Sequence, residues 1–231
     1  MSSYNIVVSE NESTVVAEYI PEPSRSDAYQ SEAALESEFI RMLCEQGYEY
    51  LKIHDEKSLI ANLRRQLEIL NNYVFSNDEW NRFFTECIAN ASDGITEKTR
   101  KIQTDHIQIL HRDDGTTKNI YLLDKKNIHN NRLQVINQYS VTEGIHDNRY
   151  DVTVLVNGLP LVHTELKRRG VAIREAFNQI ERYQRESFWS ASGLYEYVQI
   201  FVISNGTNTK YYSNTTRVNH ISESSAAKAP K

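Results

Sequence analysis

The sequence predicts an α/β or α+β chain, a mixed β-sheet flanked by helices with a helical insertion ahead of the central strands. Three observations carry that prediction. Helical periodicity fills two stretches upstream of Gly94, apolar strand-like runs dominate after it, and an amphipathic helical segment separates the two most apolar regions.

Taken in order, the chain opens with an arm or edge segment, IVVSENESTVVAEYIPEPS, closed by Pro21 and Pro23. Ser31 reads as the N-cap of a helix in which Ala34, Leu35, Phe39, Met42 and Leu43 recur at helical spacing until Gly47. YEYLKI (48–53) reads as a strand. Residues 58–90 read as helical, with a break near Ser76-Asn77-Asp78, where Asp78 caps a second helix carrying Trp80, Phe83, Phe84 and Ile88 as core. After Asp93-Gly94 the pattern turns to strands: KIQTDHIQILHR and KNIYLLDKK flank DDGTT as a hairpin. Residues 127–147 are polar apart from a short apolar stretch at Leu133, Val135 and Ile136. RYDVTVLVNGLPLVHTELK then gives two apolar strands around an Asn-Gly turn. A helix from about Val171 to Ser187, the apolar strand YVQIFVIS (197–204) and a closing edge strand, TKYYSNTT, complete the pattern. The expected organisation is a single domain over 1–231. It has an arm at 1–30, a core at 31–218 with its helical insertion at about 55–92, and a loose tail at 219–231.

Composition narrows the function. The 231 residues are 39% hydrophobic and 25% charged, with a mean hydropathy of −0.59, and no apolar run reaches the ~18 residues a membrane span needs. No secretory signal is visible at the start, and Cys44 and Cys87 are isolated, which suits a reduced, cytoplasmic setting with both thiols packed as small hydrophobes. The net charge of −5 argues against a nonspecific nucleic-acid coat protein, though not against an enzyme that meets DNA through a local basic strip. The histidines form no HExxH and no cluster with cysteine, so zinc is not expected.

The chemistry-bearing constellation is Asp151, Glu165 and Lys167. Alternation sends Glu165 and Lys167 to one side of their strand. Asp151 joins them only if the hairpin is out of regular register. A two-residue loop at Asn157-Gly158 sets Asp151 across from Thr164, whereas a three-residue loop or a bulge sets it across from Glu165. Two carboxylates and an ammonium at one sheet end suit phosphodiester hydrolysis: the carboxylates are hard ligands for Mg²⁺, and lysine handles the attacking water or the charge at phosphorus. The following helix carries Gln179 and Tyr183 four apart on one face, and Arg168, Arg169, Arg174, Arg182 and Arg185 crowd the same stretch as candidate phosphate contacts.

The segment 148–188, NRYDVTVLVNGLPLVHTELKRRGVAIREAFNQIERYQRESF, resembles the nuclease region of the restriction (R) subunit of type I restriction enzymes, in the PD-(D/E)xK nuclease superfamily. The order Asp, hairpin, ExK, helix with QxxxY matches Asp151, Glu165-Leu166-Lys167 and Gln179…Tyr183, and looser likeness covers the SEAALE helix and the ISNGT turn. The resemblance implies that Asp151, Glu165 and the carbonyl of Leu166 hold Mg²⁺, that Lys167 assists the attacking water, and that Gln179 and Tyr183 position DNA or order the site. It implies double-stranded DNA, methyltransferase and specificity subunits, and a C-terminal motor region as partners. Tyr150 stands where proline gives the superfamily its name. No GxxxxGK[ST] phosphate loop occurs, so the chain reads as the isolated N-terminal part, and ATP belongs only to a full-length subunit.

A non-catalytic docking module of the same fold is the alternative reading, and an exonuclease or junction resolvase of the same superfamily is a third. Within the chain, Asp105 with Asp124-Lys125-Lys126 forms a weaker D…DxK set, without a following QxxxY helix. Glu32 and Glu36, four apart on the first helix, could place one carboxylate near the metal but are expected rather to serve solvation or capping of that helix, and His163 is expected to be a satisfied strand histidine on the Glu165 face.

Overall fold

A computed structural model describes residues 3–9, 15–20, 31–141, 148–188 and 190–214. The expected loose tail, Pro21 and Pro23 lie outside the described residues. Strands β1 (Ser3–Ser9) and β2 (Val15–Ile20) form a hairpin, in keeping with an edge segment. Helix α1 (Glu32–Glu45) begins at Ser31, whose side chain accepts from the Ala34 amide at 3.2 Å, as the sequence predicts. The expected strand at 48–53 shrinks to β3 (Glu49–Tyr50), which pairs in parallel with β6 at the far edge of the sheet among the described strands.

The helical insertion holds α2 (Glu56–Asn71), α3 (Asn77–Phe83), a π-helical turn (Phe84–Ile88) and α4 (Ile95–Gln103). Leu59, Leu63 and Leu67, one helical face of α2, have no exposed surface, which stabilises the fold by about 2 kcal/mol each. Two expectations are corrected here. Ser76, not Asp78, caps α3, in a reciprocal capping box with Glu79. Residues 95–103 are helical rather than strand, because Glu97 reaches back to the Gly94 amide at 3.0 Å and the helix needs little apolar surface to dock: its buried residues are Lys98 and Ile102. The insertion therefore runs to Gln103, beyond the expected 92. Trp80 and Phe83 are core, as expected.

Strands β4 (Ile107–His111) and β5 (Thr117–Tyr121) form the predicted hairpin, as a separate two-stranded sheet. The main sheet continues with β6 (Leu133–Val141), β7 (Asn148–Val156) and β8 (Leu159–Leu166), then α5 (Ile173–Glu186), β9 (Ile200–Ser204) and β10 (Thr209–Ser213). Strand β9 is shorter than the predicted 197–204, since Leu194–Tyr197 closes a 3-10 turn. The order is β1-β2-β10-β9-β8-β7-β6-β3, with β8–β9 and β3–β6 parallel. Strand β10 is not the closing edge, because β2 pairs with it through Tyr19 and Thr209.

Helix α1 covers Val135, Val152 and Leu166 with Leu35, Phe39 and Leu43. Helix α5, the crossover between the parallel β8 and β9, lays Ala176, Ile180 and Tyr183 into the main core. Cys87 packs partly against that core, whereas Cys44 is exposed on α1 and is no packed hydrophobe.

Candidate active site

The β7–β8 hairpin combines a two-residue turn with a bulge. Asn157 and Gly158 both have positive φ, 50° and 83°, as a tight twisted hairpin turn requires. Val156 pairs with Leu159 and Leu155 with Pro160; the register then shifts, and Val154 pairs with Val162. Leu161 is the extra residue. Beyond it Thr153 meets His163 and Val152 meets Thr164, so Asp151 comes to stand across from Glu165. The irregularity that the sequence required is therefore present, as a bulge after a two-residue turn.

At the open end of this ladder the predicted residues come together. The Leu166 amide donates to Asp151 Oδ2 at 2.8 Å, so the carboxylate takes a bond that a regular ladder would give to backbone. Lys167 Nζ donates to Glu165 Oε1 at 3.1 Å. Glu165 has no exposed side-chain surface and Lys167 only 13%. Among the described residues Glu165 Oε2 is buried with no hydrogen-bond partner. Burial, and then the charge of Glu165, push the Asp151 carboxyl up to about 7. Burial raises Glu165 to about 7 against the opposing pull of Lys167. Burial lowers His163 to about 4, so its 3.5 Å approach to Glu165 joins a neutral imidazole to a carboxyl and is no ion pair near neutral pH. His163 lies on the Glu165 side, as parity predicts. It is not fully satisfied: Nδ1 has Thr153 Oγ1 at 3.4 Å, but among the described residues Nε2 has no hydrogen-bond partner.

The QxxxY pair joins the site from α5. Gln179 Nε2 donates to the Tyr183 hydroxyl, which donates to the Arg149 carbonyl at 2.8 Å, two residues before Asp151. The Tyr183 ring is buried 4.8 Å from that of Tyr150. These contacts order β7 rather than face solvent. Arg168, Arg174 and Arg182 are exposed.

Helix α1 supplies two carboxylates. Glu32 Oε1 accepts from the Arg168 amide at 3.2 Å, and its charge bears on Glu165. Glu36 is not solvated, contrary to expectation: it is buried, held by the side-chain amides of Asn137 and Gln138. Nothing in the polar stretch 127–147 marked those two residues in advance. The weaker D…DxK set stays apart, with Asp105 on Arg100 and Asp124 capping the turn at Lys126 and Asn127. Among the described residues no group of three or more His, Cys, Asp or Glu side chains is arranged to hold a metal, so the site offers two carboxylates and the neighbouring backbone.

The sheet and this cluster define a class of protein with a carboxylate–lysine centre at the end of a bulged hairpin. Its family is identified by the match of residues 29–220 to the model for the type I restriction enzyme R protein N terminus, and the chain belongs to that family. It is 52% identical over 212 residues to the type I restriction enzyme EcoprrI endonuclease subunit of Escherichia coli, covering 91% of this chain and 67% of that subunit. It is 43% identical over 192 residues to the SauMSSORF170P endonuclease subunit of Staphylococcus aureus (strain MSSA476), covering 81% of this chain but 20% of that subunit. A putative type I restriction enzyme MjaIXP endonuclease subunit of Methanocaldococcus jannaschii shares 32% over 115 residues. Among the described residues no helix is long and apolar enough to cross a membrane.

Proposed function

We propose that this chain is a Mg²⁺-dependent endodeoxyribonuclease domain of the PD-(D/E)xK kind, cutting double-stranded DNA in the cytoplasm as part of a type I restriction complex. The observation that carries the proposal is the bulge at Leu161, which spoils a regular ladder and sets Asp151 across from Glu165. Bulges re-aim side chains beside active sites, and a buried pair of carboxyls held near neutral pH is a poor stabilising device.

The residues fit a divalent ion. Among the described residues Glu165 Oε2 is a buried acceptor without a donor, and both carboxyls are raised by burial, a deficit of positive charge that a cation corrects. Asp151, Glu165 and the Leu166 carbonyl would hold Mg²⁺, which when bound lowers the pKa of water and offsets charge at the scissile phosphate. The chain's own groups supply the rest. Lys167 spends one N–H donor on Glu165 and keeps others for the attacking water or a phosphate oxygen. Gln179 and Tyr183 fix β7 through the Arg149 carbonyl, and the exposed arginines meet the DNA backbone without reading sequence. Sequence recognition falls to methyltransferase and specificity subunits, and ATP to a C-terminal motor region.

In an assembled restriction complex, Asp151→Ala, Glu165→Ala and Lys167→Ala each lower DNA cleavage at least about a hundredfold and leave ATP hydrolysis intact. Cleavage that persists in all three refutes the proposal.

A further inference from the structure

The rung of the sheet that carries Asp151 is irregular on both strands. On β6, Ile136 and Tyr139 both lie in the main core, while the adjacent Asn137 and Gln138 both reach Glu36. On β7, Tyr150 and Thr153 both reach Tyr195, through rings 4.5 Å apart and hydroxyls 3.2 Å apart. Regular alternation would split each of the spaced pairs, and the adjacent one, between opposite faces. Both breaks fall at one place: Asn137 pairs with Val152 and Tyr139 with Tyr150, leaving Gln138 across from Asp151 without a ladder pairing. Gln138 has a φ of 53°, a left-handed conformation that residues with a Cβ seldom adopt.

What holds Gln138 there is Glu36. The carboxylate, only 8% exposed, accepts from Asn137 Nδ2 at 2.5 Å and from Gln138 Nε2, and Asn137 Oδ1 accepts from the Tyr50 hydroxyl at 2.9 Å. A carboxylate accepts and does not donate, so the Gln138 amide must present its nitrogen to it. Its Oε1 is thereby turned away from Glu36, and among the described residues it is buried with no donor. A buried acceptor left open is costly and asks for an explanation.

We propose that Gln138 is a positioning residue of the nuclease site: its Oε1 accepts a hydrogen bond from a water in the shell of the divalent ion beside Asp151, and Glu36 is the lock that keeps the acceptor turned that way. Mg²⁺ retains several waters, and groups that hold them orient the ion. The inference rests on the reading of Asp151 and Glu165 as ion ligands.

Two variants test it on the whole chain, by Mn²⁺ titration calorimetry without DNA and by thermal unfolding. Gln138→Gly keeps the left-handed backbone, which glycine adopts freely, and removes the amide. Glu36→Gln keeps the Gln138 side chain and replaces one acceptor oxygen by a donor, which releases the amide orientation. The expected result is Gln138→Gly unfolding no lower than the unaltered chain but binding Mn²⁺ about tenfold more weakly, with Glu36→Gln shifted the same way and Asp151→Ala not binding. Full affinity in Gln138→Gly, with binding lost in Asp151→Ala, overturns the role of Gln138 and leaves the ion site standing. Binding indifferent to Asp151→Ala overturns the ion site and this inference with it.

Discussion

The substitution Glu165→Gln is expected to make the ion-free protein more stable above pH 7. A carboxyl raised from 4.5 to about 7 holds its proton more tightly in the folded chain than in the unfolded one. Its effect on stability is absent below pH 4.5, grows as pH climbs, and is complete above about pH 7, where folding must bury the charge. At about 1.4 kcal/mol per pKa unit, that penalty is about 3 kcal/mol. Asp151 is coupled to Glu165, so one substitution recovers part of a shared cost, about 2–3 kcal/mol. Lys167 opposes the gain, since it loses a charged partner, but its pull on Glu165 is already outweighed by burial. For a chain of this size the expected rise in Tm is roughly 5–10 °C. Differential scanning calorimetry in EDTA at pH 4 and pH 8.5 measures it: the two proteins melt together at pH 4 and separate at pH 8.5. Adding Mg²⁺ then raises the Tm of the unaltered chain and not that of the variant. A variant melting at or below the unaltered chain at pH 8.5 would show that Glu165 is satisfied by Lys167, and the charge-deficit argument for the ion would fall.

Two further outcomes follow from the hairpin and its brace. Gly158→Ala forces a φ of 83° on alanine and sets its Cβ 2.6 Å from Leu63 Cα. The expected loss is about 2–5 kcal/mol in urea denaturation, and a loss below about 1 kcal/mol would refute the close approach of the turn to α2. Tyr183→Phe keeps the ring against Tyr150 and removes the bond to the Arg149 carbonyl. It costs about 1 kcal/mol of stability, and cleavage by the assembled complex falls while its DNA affinity holds; unchanged cleavage would show that the hydroxyl does not order β7.

Much of the fold was legible where local rules act alone. The Ser31 cap, the Asn157-Gly158 turn and the amphipathic α5 each follow from side chains within a few residues of one another. Helix α4 was not legible, because its stability comes from a capping box and from Lys98, whose ammonium meets the Gly193 carbonyl and Glu196 nearly a hundred residues away. The same holds for β6, whose polar Gln134, Asn137 and Gln138 are explained by partners on α1, α2 and β3 that lie far away in sequence.

The sequence by itself determined the order of Asp151, Glu165 and Lys167, the strand parity that joins Glu165 to Lys167, and the need for one irregular residue in the hairpin. Tertiary structure decided where that irregularity lies. A strand of period two can absorb an extra residue at several positions, and the main core, which buries both Leu159 and Leu161, takes it up at Leu161 rather than in the turn. It also decided how the carboxyls titrate and which way the Gln138 amide faces. Burial and the orientation of a dipole depend on neighbours brought in from distant parts of the chain, and no local pattern encodes them.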